Sequence, residues 1–390
     1  MTVTVKIDEV SLVFQPKFDK HVSKWAGFCQ GIVRKIADQL ELNGIFGTAM
    51  QEPKGFAGYT DVLSFGHGRE MLKICYHQLY VNMGIYLHFS ATALGSYLYK
   101  AEVNVPDVIR NFSEITDYFE GEAHVSHVDI AIDFVDEGLA VSKIYDELDQ
   151  EVVYLTDKKK QRNQSKMSSI INDRVVSTIY FGSKKKNTRS LMRIYDKKFE
   201  QLSNASRAVY YSQAKKANDW VRFEASFRGI YARQIGTELE KICDEKTLTG
   251  FLFSGFCEKY RFTRTFDSKY TPITRVMLAY SDGISDVLDG KKQQESGLEV
   301  SINYLLTGSG LMPTIYKILA FYGEEGLTDF TKMIREYYND QYEANRDAYA
   351  YVTKNIVEYQ RKKVYPWRDL QGKDDEHGTE EDVHAHPAKS

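Results

Sequence analysis

His127-Val-Asp-Ile-Ala-Ile-Asp-Phe134 decides the reading of this chain. Successive side chains of a strand point to opposite faces, so Val128, Ile130, Ile132 and Phe134 form an apolar face and His127, Asp129 and Asp133 a polar one. Three other segments repeat the pattern: Ile85-Tyr-Leu-His-Phe-Ser90, Leu191-Met-Arg-Ile-Tyr-Asp-Lys197 and Trp220-Val-Arg-Phe-Glu-Ala-Ser-Phe-Arg228. Their polar positions hold His88, Arg193, Tyr195, Lys197, Arg222, Glu224 and Arg228. The polar face of a half-solvated antiparallel sheet is commonly filled by lysine, glutamate or threonine. Acids, a histidine, a tyrosine and arginines gathered there predict a metal-assisted site.

Outward from these strands, Lys6 to Phe14 reads as a strand and Lys20 to Leu42 as an amphipathic helix with Trp25, Phe28, Ile32, Ile36 and Leu40 on one side. Further strands are expected between Gly58 and Ser90. Asn104-Val-Pro-Asp opens a helix running to about Glu120, with Pro106 in its first turn. A short helix covers Val141 to Leu148, and Asp157 to Lys166 reads as a basic loop. Val176-Ser-Thr-Ile-Tyr-Phe-Gly182 and Ser190 to Lys197 flank the cationic stretch Ser183-Lys-Lys-Lys-Asn-Thr-Arg189, which predicts a hairpin with a basic tip. A helix from about Lys198 to Ala217 leads into the Glu224 strand, and helical signals dominate beyond Gly229, the first of them over Glu238 to Cys243. The fold expected is α+β: a largely antiparallel sheet with helices on one face, followed by a mostly helical C-terminal region. The expected domains are 1–236, catalytic; 237–370, helical; and 371–390, a disordered acidic tail.

At 390 residues the chain is long enough for about two domains with real cores. No apolar run approaches the roughly 20 residues of a membrane-spanning helix, and the N-terminus alternates like a strand, so a cytoplasmic protein without membrane partners is expected. The four cysteines lack paired spacing and predict free thiols. Net charge is only -3, but residues 156–236 carry 19 Lys and Arg against 6 Asp and Glu. A basic middle in a nearly neutral chain is the footprint of a polyanion-binding surface.

Carboxylates on neighbouring strands can hold a hard divalent ion that clamps a phosphate, and Asp129, Asp133 and Glu224 qualify if their strands pair. The same acids could instead form salt bridges with Arg193, Arg222 or Arg228. His88 can be a ligand or a general base in that cluster. A tyrosine phenol, with a reference pKa of about 10, is a poor nucleophile unless cations assist it. Arg193 and Lys197 flank Tyr195; Tyr180, on the preceding strand, is less cation-flanked and stands second to it.

Thr178-Ile-Tyr-Phe-Gly-Ser183 followed by Met192-Arg-Ile-Tyr-Asp-Lys-Lys198, preceded by the Asp129 strand and followed by the Glu224 strand, resembles the replication initiation factor family, Rep_trans. That family comprises rolling-circle plasmid initiators and relaxases of integrative and conjugative elements of Gram-positive bacteria. The resemblance covers roughly Lys6 to Gly229. It implies that Tyr195 nicks one strand of origin DNA and stays joined to the 5′ phosphate, with Arg193 and Lys197 stabilising charge. It also implies that Asp129 and Glu224 bind Mg2+ or Mn2+. Where the family commonly offers a third carboxylate this chain has His88, so either His88 or Asp133 completes the set, and a histidine favours manganese. Lys184, Lys185, Lys186, Arg189, Lys198, Arg222 and Arg228 are the expected DNA contacts. Partners implied are single-stranded or melted origin DNA, a host helicase and a second copy in a homodimer. Two rival readings stay open: a non-catalytic origin-binding protein, and a metal-dependent nuclease in which water attacks.

Overall fold

In the computed structural model the described residues are 2–362 apart from 19–21, 69, 164, 173, 184–187, 204–209, 282–287, 289–297, 308 and 344–345. The acidic tail expected at 371–390 lies outside the described residues. The chain divides into two compact units, Met1–Asp289 and Gly290–Ser390.

The first unit contains twelve described strands: β1 Thr2–Pro16, β2 Met50–Gln51, β3 Asp61–Phe65, β4 Leu72–Tyr76, β5 Ile85–Phe89, β6 Gly121–Val135, β7 Val153–Thr156, β8 Met167–Asn172, β9 Val175–Phe181, β10 Ser190–Asp196, β11 Trp220–Arg228 and β12 Arg261–Arg264. Ten of them form one sheet in the order β2-β3-β4-β5-β1-β6-β11-β10-β9-β8, and β12 pairs with β7. Every pairing is antiparallel. Its helices are α1 Trp25–Gln39, α2 Leu42–Phe46, α3 Ala91–Ala101, α4 Val105–Ser113, α5 Val141–Asp149, α6 Lys197–Ser203, α7 Tyr211–Lys216, α8 Ile230–Leu239, α9 Glu245–Lys259 and α10 Pro272–Tyr280. The second unit contains α11 Leu298–Thr307, α12 Leu311–Gln341 and α13 Arg346–Lys362. The expected α+β class, with a large antiparallel sheet and a helical C-terminal region, is therefore the observed one.

The alternation of the central strands builds the core. Val128, Ile130, Ile132 and Phe134 of β6, with Phe223, Ala225 and Phe227 of β11, are buried in one cluster with Ile36 of α1, Phe112 of α4, Ile235 of α8 and Phe256 of α9. Burying a Phe side chain contributes up to about 3 kcal/mol, so this face supplies much of the drive for folding. α4 starts where its sequence requires: Asn104 and Asp107 form a reciprocal capping box, with Pro106 inside the first turn. Gly84 has φ +63° immediately before β5, and a Cβ there would lie 2.5 Å from the Phe14 carbonyl oxygen. Only glycine lets the chain enter β5 with Ile85 opposite Phe14.

Three elements differ from the sequence expectation. α8 begins at Ile230, earlier than the helical signal at Glu238, because Arg228-Gly229 turns directly into it with Gly229 at φ +57°. β8, Met-Ser-Ser-Ile-Ile-Asn, lacks polar alternation yet pairs along β9. The helix expected from Lys198 to Ala217 is represented by α6 and α7, with residues 204–209 outside the described set.

Candidate metal and tyrosine site

Strand register turns the polar face into rows. One row runs Arg228, His127, Ser11 and His88 across β11, β6, β1 and β5. The next runs Ser226, Asp129 and Glu9. A third runs Tyr180, Arg193, Glu224 and Ala131 from β9 to β6, and a fourth Thr178, Tyr195, Arg222 and Asp133. β1 breaks register between Ile7, opposite Ile130, and Glu9, opposite Asp129, which leaves Asp8 as an extra residue. Such a bulge reverses the facing of the residues beyond it, so the adjacent acids Asp8 and Glu9 both reach the polar side while Ile7 and Val10 enter the core.

Glu9, His127 and Asp129 converge, with one potential ligand atom from each within 4.8 Å of the others. His127 Nδ1 lies 3.3 Å from Glu9 Oε1, and His127 Nε2 lies 2.8 Å from both Asp129 Oδ1 and Ser226 Oγ. Burial works against a charged ring, but the hydrogen bonds to Asp129 and Glu9 hold the His127 pKa up at about 9. A proton on His127 therefore supplies the positive charge between two carboxylates. One imidazole and two carboxylates, half-buried on one face, fit a divalent cation in place of that proton, and imidazole leans the preference from Mg2+ towards Mn2+.

His88 stands beside this trio. Tyr86 Oη donates to Ser11 Oγ at 2.9 Å, and Ser11 Oγ lies 3.0 Å from His88 Nδ1. His88 Nδ1 is 4.0 Å from Glu9 Oε1, beyond hydrogen-bond reach, and burial lowers the pKa of the ring.

On the other side of the trio, Tyr195 is 7% exposed and donates from its hydroxyl to Glu224 Oε2 at 3.2 Å. Arg193 Nη2 holds Glu224 Oε1 at 2.6 Å, and its guanidinium stands 4.9 Å from the Tyr195 ring centre. Lys197 Nζ is 5.6 Å from that centre and 2.5 Å from Glu200 Oε2. Burial, reinforced by the Glu224 carboxylate, keeps the phenol well above its ordinary pKa despite Arg222 and Arg193. Burial also pushes the Glu224 carboxyl up to about 7 against the pull of Arg193, with Asp129 and Asp8 adding repulsion.

The expected site residues therefore separate into groups. Asp129 sits in the cation trio, Glu224 with Arg193 and Tyr195, and His88 at the edge of the trio. Asp133 is taken up by Arg222: Nε and Nη2 donate to its two oxygens at 2.7 Å each, and Trp220 Nε1 donates at 2.8 Å. Arg222, expected to contact DNA, is 1% exposed and also pairs with Asp8 at 3.0 Å. Its guanidinium is committed to buried Asp133 and half-buried Asp8, which corrects that expectation. Arg189 is exposed, Arg228 is half-buried in the His127 row, and Lys198 Nζ donates to the Asn218 carbonyl at 2.9 Å. Lys184, Lys185 and Lys186 lie outside the described residues. Glu9 escapes a strict alternation reading because the bulge falls immediately before it; the consecutive acids Asp8-Glu9 inside a strand are the signal that could have marked it.

Among the described residues no helix is long and apolar enough to cross a membrane, and all four cysteines are free. Residues 123–292 match the family model described as replication initiation factor, Rep_trans. The resemblance carried by the motifs is borne out over that segment, which holds His127, Asp129, Tyr195 and Glu224. A structure of the rolling circle replication initiator protein from Geobacillus stearothermophilus is similar with a TM-score of 0.49 and 16% identity, covering 71% of this chain and 96% of that one. No curated protein matches the chain.

Proposed function

We propose that this chain, matched over residues 123–292 to the replication initiation factors, is a metal-dependent protein that nicks one strand of origin DNA and transfers it through Tyr195. The observation that carries this reading is the buried hydrogen bond from Tyr195 Oη to Glu224 Oε2, with Arg193 clamped on the other carboxylate oxygen. A phenol with a raised pKa needs a base at the moment of attack, and a carboxyl near neutrality is well matched to that task. Tyr195 Oη forms the bond to phosphorus as its proton passes to Glu224. The bond from phosphorus to the 3′ oxygen breaks, and the freed oxygen takes a proton from solvent. Religation runs the steps in reverse: the 3′ hydroxyl attacks the phosphotyrosine and Glu224 returns its proton to the phenol.

Arg193 and Lys197 lie on the phenol side of the site and stabilise the charge that gathers on the phosphate. Glu9, His127 and Asp129 are the residues that would hold Mn2+ or Mg2+. When bound, the ion supplies charge that offsets a non-bridging phosphate oxygen. Glu224, a metal ligand by family resemblance, serves here as the general base, and His88 and Asp133 become supporting residues. The basic segment 156–236 makes origin DNA the natural partner; a host helicase and a second copy belong to the same reading. The sheet domain is proposed as the nicking module.

The second reading, a nuclease whose nucleophile is water, draws support from the low exposure of Tyr195. Incubating the protein with end-labelled single-stranded origin DNA and manganese separates the two. A protein-linked product, absent from Tyr195→Phe, is expected; free 5′ phosphate ends without any linked product would favour water.

A further inference from the structure

The nicking reading assigns no task to the outer strands of the sheet. Ser168 on β8 pairs with Tyr180 on β9, Tyr180 with Arg193 on β10, and Arg193 with Glu224 on β11, so one row of side chains leads away from the site. Adjacent strands lie about 4.8 Å apart, which puts Ser168 about 10 Å beyond Arg193 along that row. A cavity of about 680 Å³ opens there, bordered by Lys166, Ser168, Ser169, Tyr180 and Thr188. Among the described residues its lining offers hydroxyls, an ammonium and an aromatic ring, and includes no carboxylate. The cavity that Tyr195, Arg193 and Lys197 themselves border, about 420 Å³, also carries Asp8, Glu70 and Glu200. Beyond the phosphate held at Tyr195, a polyanionic backbone meets carboxylates along that cavity and none among the described lining residues of the one over β8 and β9.

We infer that single-stranded DNA next to the scissile phosphate runs from Arg193 over β9 and β8, and that Tyr180 stacks on a base there. This rests on the nicking reading and gives the strand a direction across the sheet. A tyrosine face stacks on any base, independent of sequence. Hydroxyls and lysine fix phosphates without reading bases, which is the chemistry the lining supplies. Tyr180 is on this account a positioning residue: it shares the polar face with Tyr195 but lies opposite Arg193, one row removed from it.

The test uses the full chain without metal and an oligodeoxythymidylate bearing one 5-iododeoxyuridine. Irradiation should join the DNA to Tyr180, mapped by mass spectrometry of the digested protein. Tyr180→Ala should weaken binding of the plain oligonucleotide about tenfold, and Tyr180→Phe, which keeps the ring, should restore most of it. Photoadducts confined to segments outside residues 165–191, or unchanged binding by Tyr180→Ala, would overturn the inference. Loss of the covalent nicking product in Tyr180→Phe would also overturn it by making Tyr180 the nucleophile. Photocrosslinking requires no nicking, so failure of the Tyr195 chemistry would leave a Tyr180 photoadduct in place.

Discussion

Asp129 and Asp133 lie four residues apart on one face of one strand, and the fold gives them opposite partners. Asp133 receives both ends of the Arg222 fork and the Trp220 indole, and Arg222 also takes Asp8. A guanidinium cannot lose its proton in a protein, so the Asp133 end of the face is permanently neutralised. Burial works against charging Asp8, yet Arg222 and Lys6 still hold its carboxyl below the ordinary range. Asp129 faces His127, whose charge is a removable proton. Identical residue types at equivalent spacing thus build a closed structural cluster at one end and an exchangeable cation site at the other.

The largest effect should come from opening the closed cluster. Arg222→Met leaves Asp133 buried without its cation and Asp8 with Lys6 alone, and removing one partner of a buried ion pair costs about 3–5 kcal/mol. Urea unfolding of the metal-free protein measures this directly. A loss below about 1 kcal/mol would mean that water or Lys6 replaces the arginine and that the two ends are not different in kind.

The exchangeable end should respond to pH. The folded His127 pKa, about 9, lies above its unfolded value of 6.5. The folded state therefore binds more protons in that interval, and the stabilisation is complete below pH 6.5 and is lost as pH rises through about 9. In chelator, unfolding free energy should fall by roughly 3 kcal/mol across this window, and His127→Gln should flatten the dependence. Glu224, raised from 4.5 to about 7, acts in the same direction but mostly at lower pH. A slope unchanged by His127→Gln would assign the proton to another group.

The degree to which this contrast is legible in the sequence depends on periodicity. Four two-faced strands place Asp129, Arg193, Tyr195 and Glu224 on one face because a period of two survives in β10, in β11 and in β6 from His127 onward. The same rule fails at β1, where the extra residue Asp8 brings Glu9 to a face that alternation denies it. Pairing is the other hidden quantity. The sequence leaves salt bridges open as an alternative for the acids, but only the cross-strand register, Arg222 opposite Asp133 and Arg193 opposite Glu224, decides which acid each arginine takes. Arg222 reads as a surface cation by composition and becomes a buried clamp because Asp133 stands opposite it and the β1 bulge brings Asp8 within 3.0 Å.

A metal titration tests the contrast at its smallest expected effect. Mn2+ at about a hundred times its dissociation constant should raise the unfolding free energy by about 2.7 kcal/mol, since only the folded chain assembles the trio. Glu9→Gln and Asp129→Asn should abolish that increment, whereas Asp133→Asn, though less stable at the outset, should retain it. His88 bonds Ser11, which lies opposite His127 across the strands, and sits 4.0 Å from Glu9, so His88→Gln should weaken Mn2+ binding by about tenfold, the lower end for a group that supports a ligand indirectly. An increment that survives Glu9→Gln and vanishes with Asp133→Asn would exchange the roles of the two ends, because the cation would then be competing with a guanidinium instead of a proton.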